Sequence, residues 1–172
     1  MRRTNTVDGF QSSVPKAAVA EANLSAGFGC AQSVFSAFAE DIGMDRETAL
    51  RIAGPFGGGI GGMGRTCGAV TGALMVIGYL YGRTDPEDAE TKLANNARVQ
   101  ELVALVEDRR GTTLCREILN GYDLRDPEQY ELARQEGLFE TGCQKTVEDT
   151  AEILEALLTR WQGTTSGNSI QG

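Results

Sequence analysis

Three features of the sequence predict an all-α fold: one domain, a helical bundle around a central apolar helix. Apolar residues recur at helical spacing in one segment after another, with capping residues or glycines at the ends. Residues 66–82 carry no charge and lie between Arg65 and Arg83, the pattern of a helix buried on all sides. No segment alternates apolar and polar residues, and no hairpin turn signal occurs. The chain has 172 residues, 41% of them apolar, so it can build a core without disulfide staples.

The elements follow in order. Residues 1–13 are polar and read as a flexible N-terminal extension, and the helical domain spans 14–162. Val14, Ala17, Ala18, Glu21 and Ala22 suit a first helix over 14–24, with Pro15 tolerated in its first turn. The run Ser25-Ala26-Gly27-Phe28-Gly29 breaks it. Cys30 opens a second helix with Val34, Phe35, Phe38 and Ile42 on one face, stopped by Gly43. Asp45 is an N-cap for a short helix to about Ala53. A glycine-rich run over 56–65 follows, and Cys67 begins the apolar helix that ends near Gly82. After Asp85-Pro86, a long helix runs to about Arg110, its buried stripe marked by Leu93, Ala97, Leu102, Leu105 and Val106. Residues 114–119 form a short helical turn, 120–127 a loop, and 127–136 a brief helix. The last helix, 145–161, places Val147, Ala151, Leu154, Leu158 and Trp161 on one face, and residues 163–172 read as a disordered tail.

Composition excludes several functions. The formal charge is −8 with no long basic run, so nucleic acid is not expected as a partner. Histidine is absent, which removes Ser-His-Asp and Cys-His catalysis, His-ligated zinc and CxxCH haem attachment. The uncharged stretch 66–82 is short for a bilayer and rich in glycine, so no membrane insertion is expected. No signal-like apolar run follows Arg2 and Arg3, so the expected location is cytoplasmic, where thiols stay reduced unless they hold metal or do redox work.

That directs attention to the four cysteines. Cys30, Cys67 and Cys115 fall at predicted helix starts, and Cys143 lies just before one. A helix N-terminus carries partial positive charge, which lowers a thiol's pKa and favours the thiolate. Arg65, Arg116 and Lys145 add nearby cations. The plain alternative is that free cysteines fill space in the core. The spacings are too wide for the local CxxC pairs of zinc ribbons or thioredoxin-like motifs, so only the tertiary fold can bring these thiols together.

The glycine run holds six glycines between Gly57 and Gly64. Gly59, Gly61 and Gly64 match GxGxxG, but a helix precedes them where a dinucleotide site needs a strand. A P-loop is excluded because no Gly-Lys-Ser/Thr follows. Two readings remain: a tight connection, or a loop lying over a cysteine site with its N–H groups aimed at sulfur. On the second, Gly57, Gly58, Gly59 and Arg65 are candidate contacts to a cofactor.

The residues Gly29-Cys30-Ala31-Gln32, Phe56-Gly57-Gly58-Gly59, Cys67-Gly68-Ala69-Val70-Thr71-Gly72, Cys115-Arg116-Glu117 and Cys143 occur in that order over about residues 15–160. In this the chain resembles the C_GCAxxG_C_C family of redox-active proteins. The family is defined by four cysteines and a CGAxxG motif, here Cys67 to Gly72. The resemblance implies an all-helical bacterial or archaeal protein and a kinship to a domain of split-Soret cytochromes c. Their haem is not implied, because this chain has no CxxCH.

Two chemistries fit. The four cysteines can ligate an iron–sulfur cluster in an electron-transfer protein, with the three cations offsetting its charge. They can instead work metal-free as a thiol/disulfide oxidoreductase, with Cys30, Cys67, Cys115 and Cys143 as the reacting groups. Structural zinc suits the same all-sulfur set. A helical interaction protein with incidental cysteines is the remaining alternative. A redox partner protein is expected on either chemistry, and a homodimer is compatible with a small electron carrier.

Overall fold

The structure, a computed structural model, describes residues 14–165, so the N-terminal extension over 1–13 and the tail beyond 165 lie outside the described residues. Eight α-helices occur among those residues: α1 (Lys16–Ser25), α2 (Cys30–Ala37), α3 (Arg46–Ala53), α4 (Gly68–Tyr81), α5 (Ala89–Arg110), α6 (Cys115–Ile118), α7 (Pro127–Gln135) and α8 (Lys145–Thr165). A 3₁₀ turn (Gly54–Phe56) follows α3, and a π turn (Phe139–Gln144) runs into α8. The all-α expectation holds: the described residues contain no strand, only an isolated antiparallel bridge between Thr66 and Leu114.

The central helix is α4, which buries Val70, Ala73, Val76 and Ile77 completely and packs against α2, α5 and α8. Its closest neighbour is α2, and two glycines explain why. A Cβ on Gly72 would lie 2.6 Å from the Ala31 carbonyl oxygen, and one on Gly68 would lie 2.9 Å from the Ala31 nitrogen and 3.1 Å from Cys30 Cβ. Spaced four apart, the two glycines share one face of α4, where the α2 backbone seats directly. The predicted face of α8 is also observed: Val147, Ala151, Leu154 and Leu158 are fully buried, and Trp161 packs against the core edge.

Capping follows the expected chemistry. The Asp45 carboxylate accepts from the Thr48 N–H at 2.9 Å and starts α3. Asp88 caps α5 in the same way through Thr91 N–H, and Gly111, at φ 80°, ends that helix.

Two predicted faces are corrected. On α1 the buried positions are Lys16, Ala20 and Asn23, while Val14, Ala18 and Ala22 are exposed. Polar residues face inward there because their partners lie inside. Lys16 pairs with Asp41, and the Asn23 amide donates to the Ser33 carbonyl and Ser36 Oγ. On α5 only Leu102 and Val106 of the predicted stripe are buried. Leu93 is 68% exposed, Leu105 is 40% exposed and Ala97 is exposed. No residue of α5 before Leu102 is buried, so a stripe read along its whole length misjudges which turns meet the core. At the C-terminus, α8 runs to Thr165, and the first three residues expected in the tail continue the helix.

Candidate functional site

The site is built around a left-handed turn. From Gly58 to Gly62 five successive residues have positive φ: 61°, 67°, 64°, 59° and 78°. Such a run crowds any Cβ against the backbone, which is why four of the five are glycine and Ile60 stands alone. The turn closes on itself. The N–H groups of Ile60, Gly61 and Gly62 donate to the carbonyls of Phe56, Pro55 and Gly57, and those of Gly64 and Arg65 to Gly58 and Gly59. The N–H groups of Gly58 and Gly59 take no acceptor among the described residues. They are the orphan donors that open any helical turn, here of the opposite hand. Gly59 is buried against the site itself: a Cβ there would lie 2.6 Å from Cys115 Cβ.

The turn feeds two cysteines. After it, the Thr66–Leu114 bridge ties the entry of α4 to that of α6. Cys67 N–H donates to the Thr113 carbonyl at 2.8 Å, and Cys115 N–H to the Arg65 carbonyl at 2.8 Å. Cys67 is the N-cap of α4, and Cys115 is the first residue of α6. Cys30 starts α2, where the Gln32 side chain accepts from the Gly29 N–H and donates to the Leu50 carbonyl, fixing the helix entry against α3. Cys143 sits inside the π turn, whose extra residue per turn re-aims side chains and recurs at functional sites. Nothing in the residue pattern around Cys143 announces that turn.

The fold brings the four cysteines together. All are free thiols; Cys67, Cys115 and Cys143 are buried and Cys30 is partly exposed. Cys115 and Cys143 share a small apolar cluster with Leu119, and Cys30 packs on it. Cys30 also packs on the main core, of which Cys67 is part. The Cys30 thiol interacts with those of both Cys143 and Cys67. A cleft of about 620 Å³ opens beside them, lined by Cys30, Cys115 and Cys143 and by Gly57 and Gly58 of the turn.

Electrostatics reverse one expectation. Helix starts were expected to lower the thiol pKa values, yet three are raised. The Cys143 thiol contact, followed by burial, raises that of Cys30. The Cys30 contact and burial hold Cys67 well above the ordinary range. Burial, then Cys67, pushes Cys115 up to about 12. The predicted helix effect is present, since the Ala69 and Val70 N–H groups pull Cys67 downward, but desolvation and neighbouring thiols outweigh it.

The cations divide. Arg116 lowers the Cys115 pKa and pairs with Asp123 at 3.0 Å. Lys145 is exposed and pairs with Glu148 at 3.1 Å. The Arg65 side chain is exposed and outside the cleft lining; that residue serves the site through its backbone. Among the described residues, no group of three or more Cys, Asp or Glu side chains is placed to hold a single metal ion. No described helix is long and apolar enough to cross a membrane.

Residues 28–157 match a family model described as "Putative redox-active protein (C_GCAxxG_C_C)". No curated protein and no solved structure matches the chain.

Proposed function

Because the chain belongs to the C_GCAxxG_C_C family of redox-active proteins, we propose that Cys30, Cys67, Cys115 and Cys143 form its redox centre and ligate an iron–sulfur cluster. The observation that carries this reading is convergence. Four cysteines far apart in sequence come together beside one cleft, at three helix entries and a π turn.

The residues present suit such a group. The donor set is sulfur alone, as iron–sulfur clusters require. Gly59, whose N–H is unpartnered, abuts Cys115, and a backbone donor there would tune a cluster's potential. A bound cluster would supply one-electron transfer. Phe139, Leu138 and Leu124 give the cysteines an apolar border, and Arg116 offsets negative charge beside Cys115. A reducing cytoplasm and a redox partner protein suit this role.

A second reading has its own support. Cys30 touches two other thiols, the arrangement a dithiol/disulfide carrier needs. Burial and neighbouring thiols raise the pKa values of Cys30, Cys67 and Cys115, and thiol attack and metal ligation both draw on the thiolate, so this does not separate the two readings.

The test is iron, zinc and acid-labile sulfide content, with a visible spectrum, on protein purified without oxygen. Stoichiometric iron and sulfide, lost on Cys67→Ser, is the expected result. A colourless, metal-free protein whose thiol titre falls by two or four on mild oxidation overturns the cluster in favour of disulfide chemistry.

A further inference from the structure

The cleft beside the cysteines is larger than their own chemistry requires. At about 620 Å³ it falls in the range of small-molecule sites. Its lining combines two kinds of surface. Gly58 of the left-handed turn offers backbone without a side chain. Phe28, Leu124, Tyr130 and Phe139 offer apolar and aromatic surface, and the Tyr130 and Phe139 rings stand 5.2 Å apart, tilted at 42°. Bare backbone and aromatic rings both accept the face of a flat ring.

Charge narrows the class of ligand. None of the lining residues is Lys or Arg, and the one formal charge among them is Glu140. Arg116, Arg125 and Arg46 neighbour lining residues and each is engaged: Arg116 and Arg125 pair with Asp123, and Arg46 donates to Asn23 Oδ1 with its guanidinium 5.3 Å from the Phe28 ring centroid. A phosphate-bearing cofactor such as a flavin nucleotide therefore finds no cation in the lining, only the backbone N–H of Gly58. The ligand that fits is flat, aromatic and uncharged. Beside a redox centre, the matching class of molecule is a quinone.

We propose that this cleft is a binding site for a neutral quinone, seated between the glycine turn and the Phe28–Tyr130–Phe139 surface, next to Cys30, Cys115 and Cys143. The choice of a quinone over other flat neutral molecules rests on the redox centre proposed above; the presence of an apolar ring site does not.

The probe is 2,3-dimethyl-1,4-naphthoquinone, whose methylated ring positions cannot arylate thiols. Its binding to the full-length protein is measured by calorimetry beside that of anionic anthraquinone-2-sulfonate. Saturable binding of the neutral probe, at least about tenfold tighter than the sulfonate, is expected. Tyr130→Ala, at an exposed ring on α7, weakens it about fivefold to tenfold. Leu124→Arg, on a loop, weakens it at least as much, and circular dichroism verifies the fold of each variant. No saturable binding, equal binding of the sulfonate, or unchanged affinity in both folded variants overturns the proposal. Iron, sulfide and thiol contents are determined on the same samples. A chain that binds the probe but has no metal and no redox-active thiols sinks the redox-centre reading and the choice of a quinone with it, and leaves the apolar ring site. A chain with an intact centre that binds no probe sinks this one alone.

Discussion

Replacing Gly72 by alanine tests the α2–α4 crossing on which the position of Cys30 depends. The new Cβ would stand 2.6 Å from the Ala31 carbonyl oxygen and 3.2 Å from the Phe35 nitrogen, where ordinary contact begins at 3.4 Å. Relief requires α2 to retreat by about 0.8 Å, and its backbone cannot swing aside as a flexible side chain would. Overpacking of this kind costs about 1–3 kcal/mol. The better helix propensity of alanine returns only about 0.5–1 kcal/mol. The net is a loss of roughly 0–2.5 kcal/mol, or a fall of up to about 10 °C in Tm for a domain of this size. Gly78 provides the matched control. It lies on the same helix, is exposed, and a Cβ there would meet nothing within 4 Å. Gly78→Ala should therefore gain about 0.5–1 kcal/mol from propensity alone. Urea and thermal unfolding, followed by circular dichroism and by the fluorescence of the single tryptophan, Trp161, read both variants. If Gly72→Ala is as stabilising as Gly78→Ala, the close crossing is not what requires glycine.

Two further perturbations address the site. Gly59→Ala places a methyl 2.6 Å from Cys115 Cβ in a residue at φ 67°, so it should lower iron and sulfide content per chain. Gly111→Ala, at φ 80° with nothing within 4 Å, should suffer only the left-handed penalty, about 1 kcal/mol, and keep the centre intact. Equal metal content in the two variants would refute the cradle. Asp123 is held well below the usual carboxylate range, first by Arg125 and then by Arg116. Its contribution to stability is full above the ordinary carboxylate pKa and is lost as pH falls through the lower folded-state value. Asp123→Asn should thus be less stable than the parent at pH 7, with a Tm gap that closes below about pH 4; a gap independent of pH would count against the pairing.

The parts of this fold that could be read in the sequence are those set by local chemistry. Asp45 announces a cap, the charge-free run announces α4, and the α8 face follows from spacing, since α8 touches the core over most of its length. The misread parts depend on what lies opposite. Leu93 and Leu105 have helical spacing on α5, but only the turns of Leu102 and Val106 meet the core. Lys16 and Asn23 face inward because Asp41, Ser33 and Ser36 wait there, which no pattern on α1 reveals. Cys30, Cys67 and Cys115 do stand at helix entries and Cys143 just before α8, yet the pKa direction of the first three is reversed because mutual proximity is tertiary. Gly57 and Gly58 do line the cleft and Gly59 does abut Cys115, whereas the Arg65 side chain stays outside. Gly68 and Gly72 carried a signal that went unused: two small residues four apart on an apolar helix mark a face that a neighbouring backbone can approach closely.

The short bridge between Thr66 and Leu114 divides the four cysteines into two pairs held in different ways. Cys67 and Cys115 are laced backbone to backbone, so neither can withdraw without unfastening the other. Cys30 and Cys143 ride separately, one at the head of α2 and one in a π turn, with no such lacing between them. The second pair is held by packing instead of pairing: Gly68 lets the head of α2 sit on α4, and Gly142 lets the π turn sit on the Ile118 carbonyl at the end of α6, so each of the four cysteines is positioned by backbone seated on backbone.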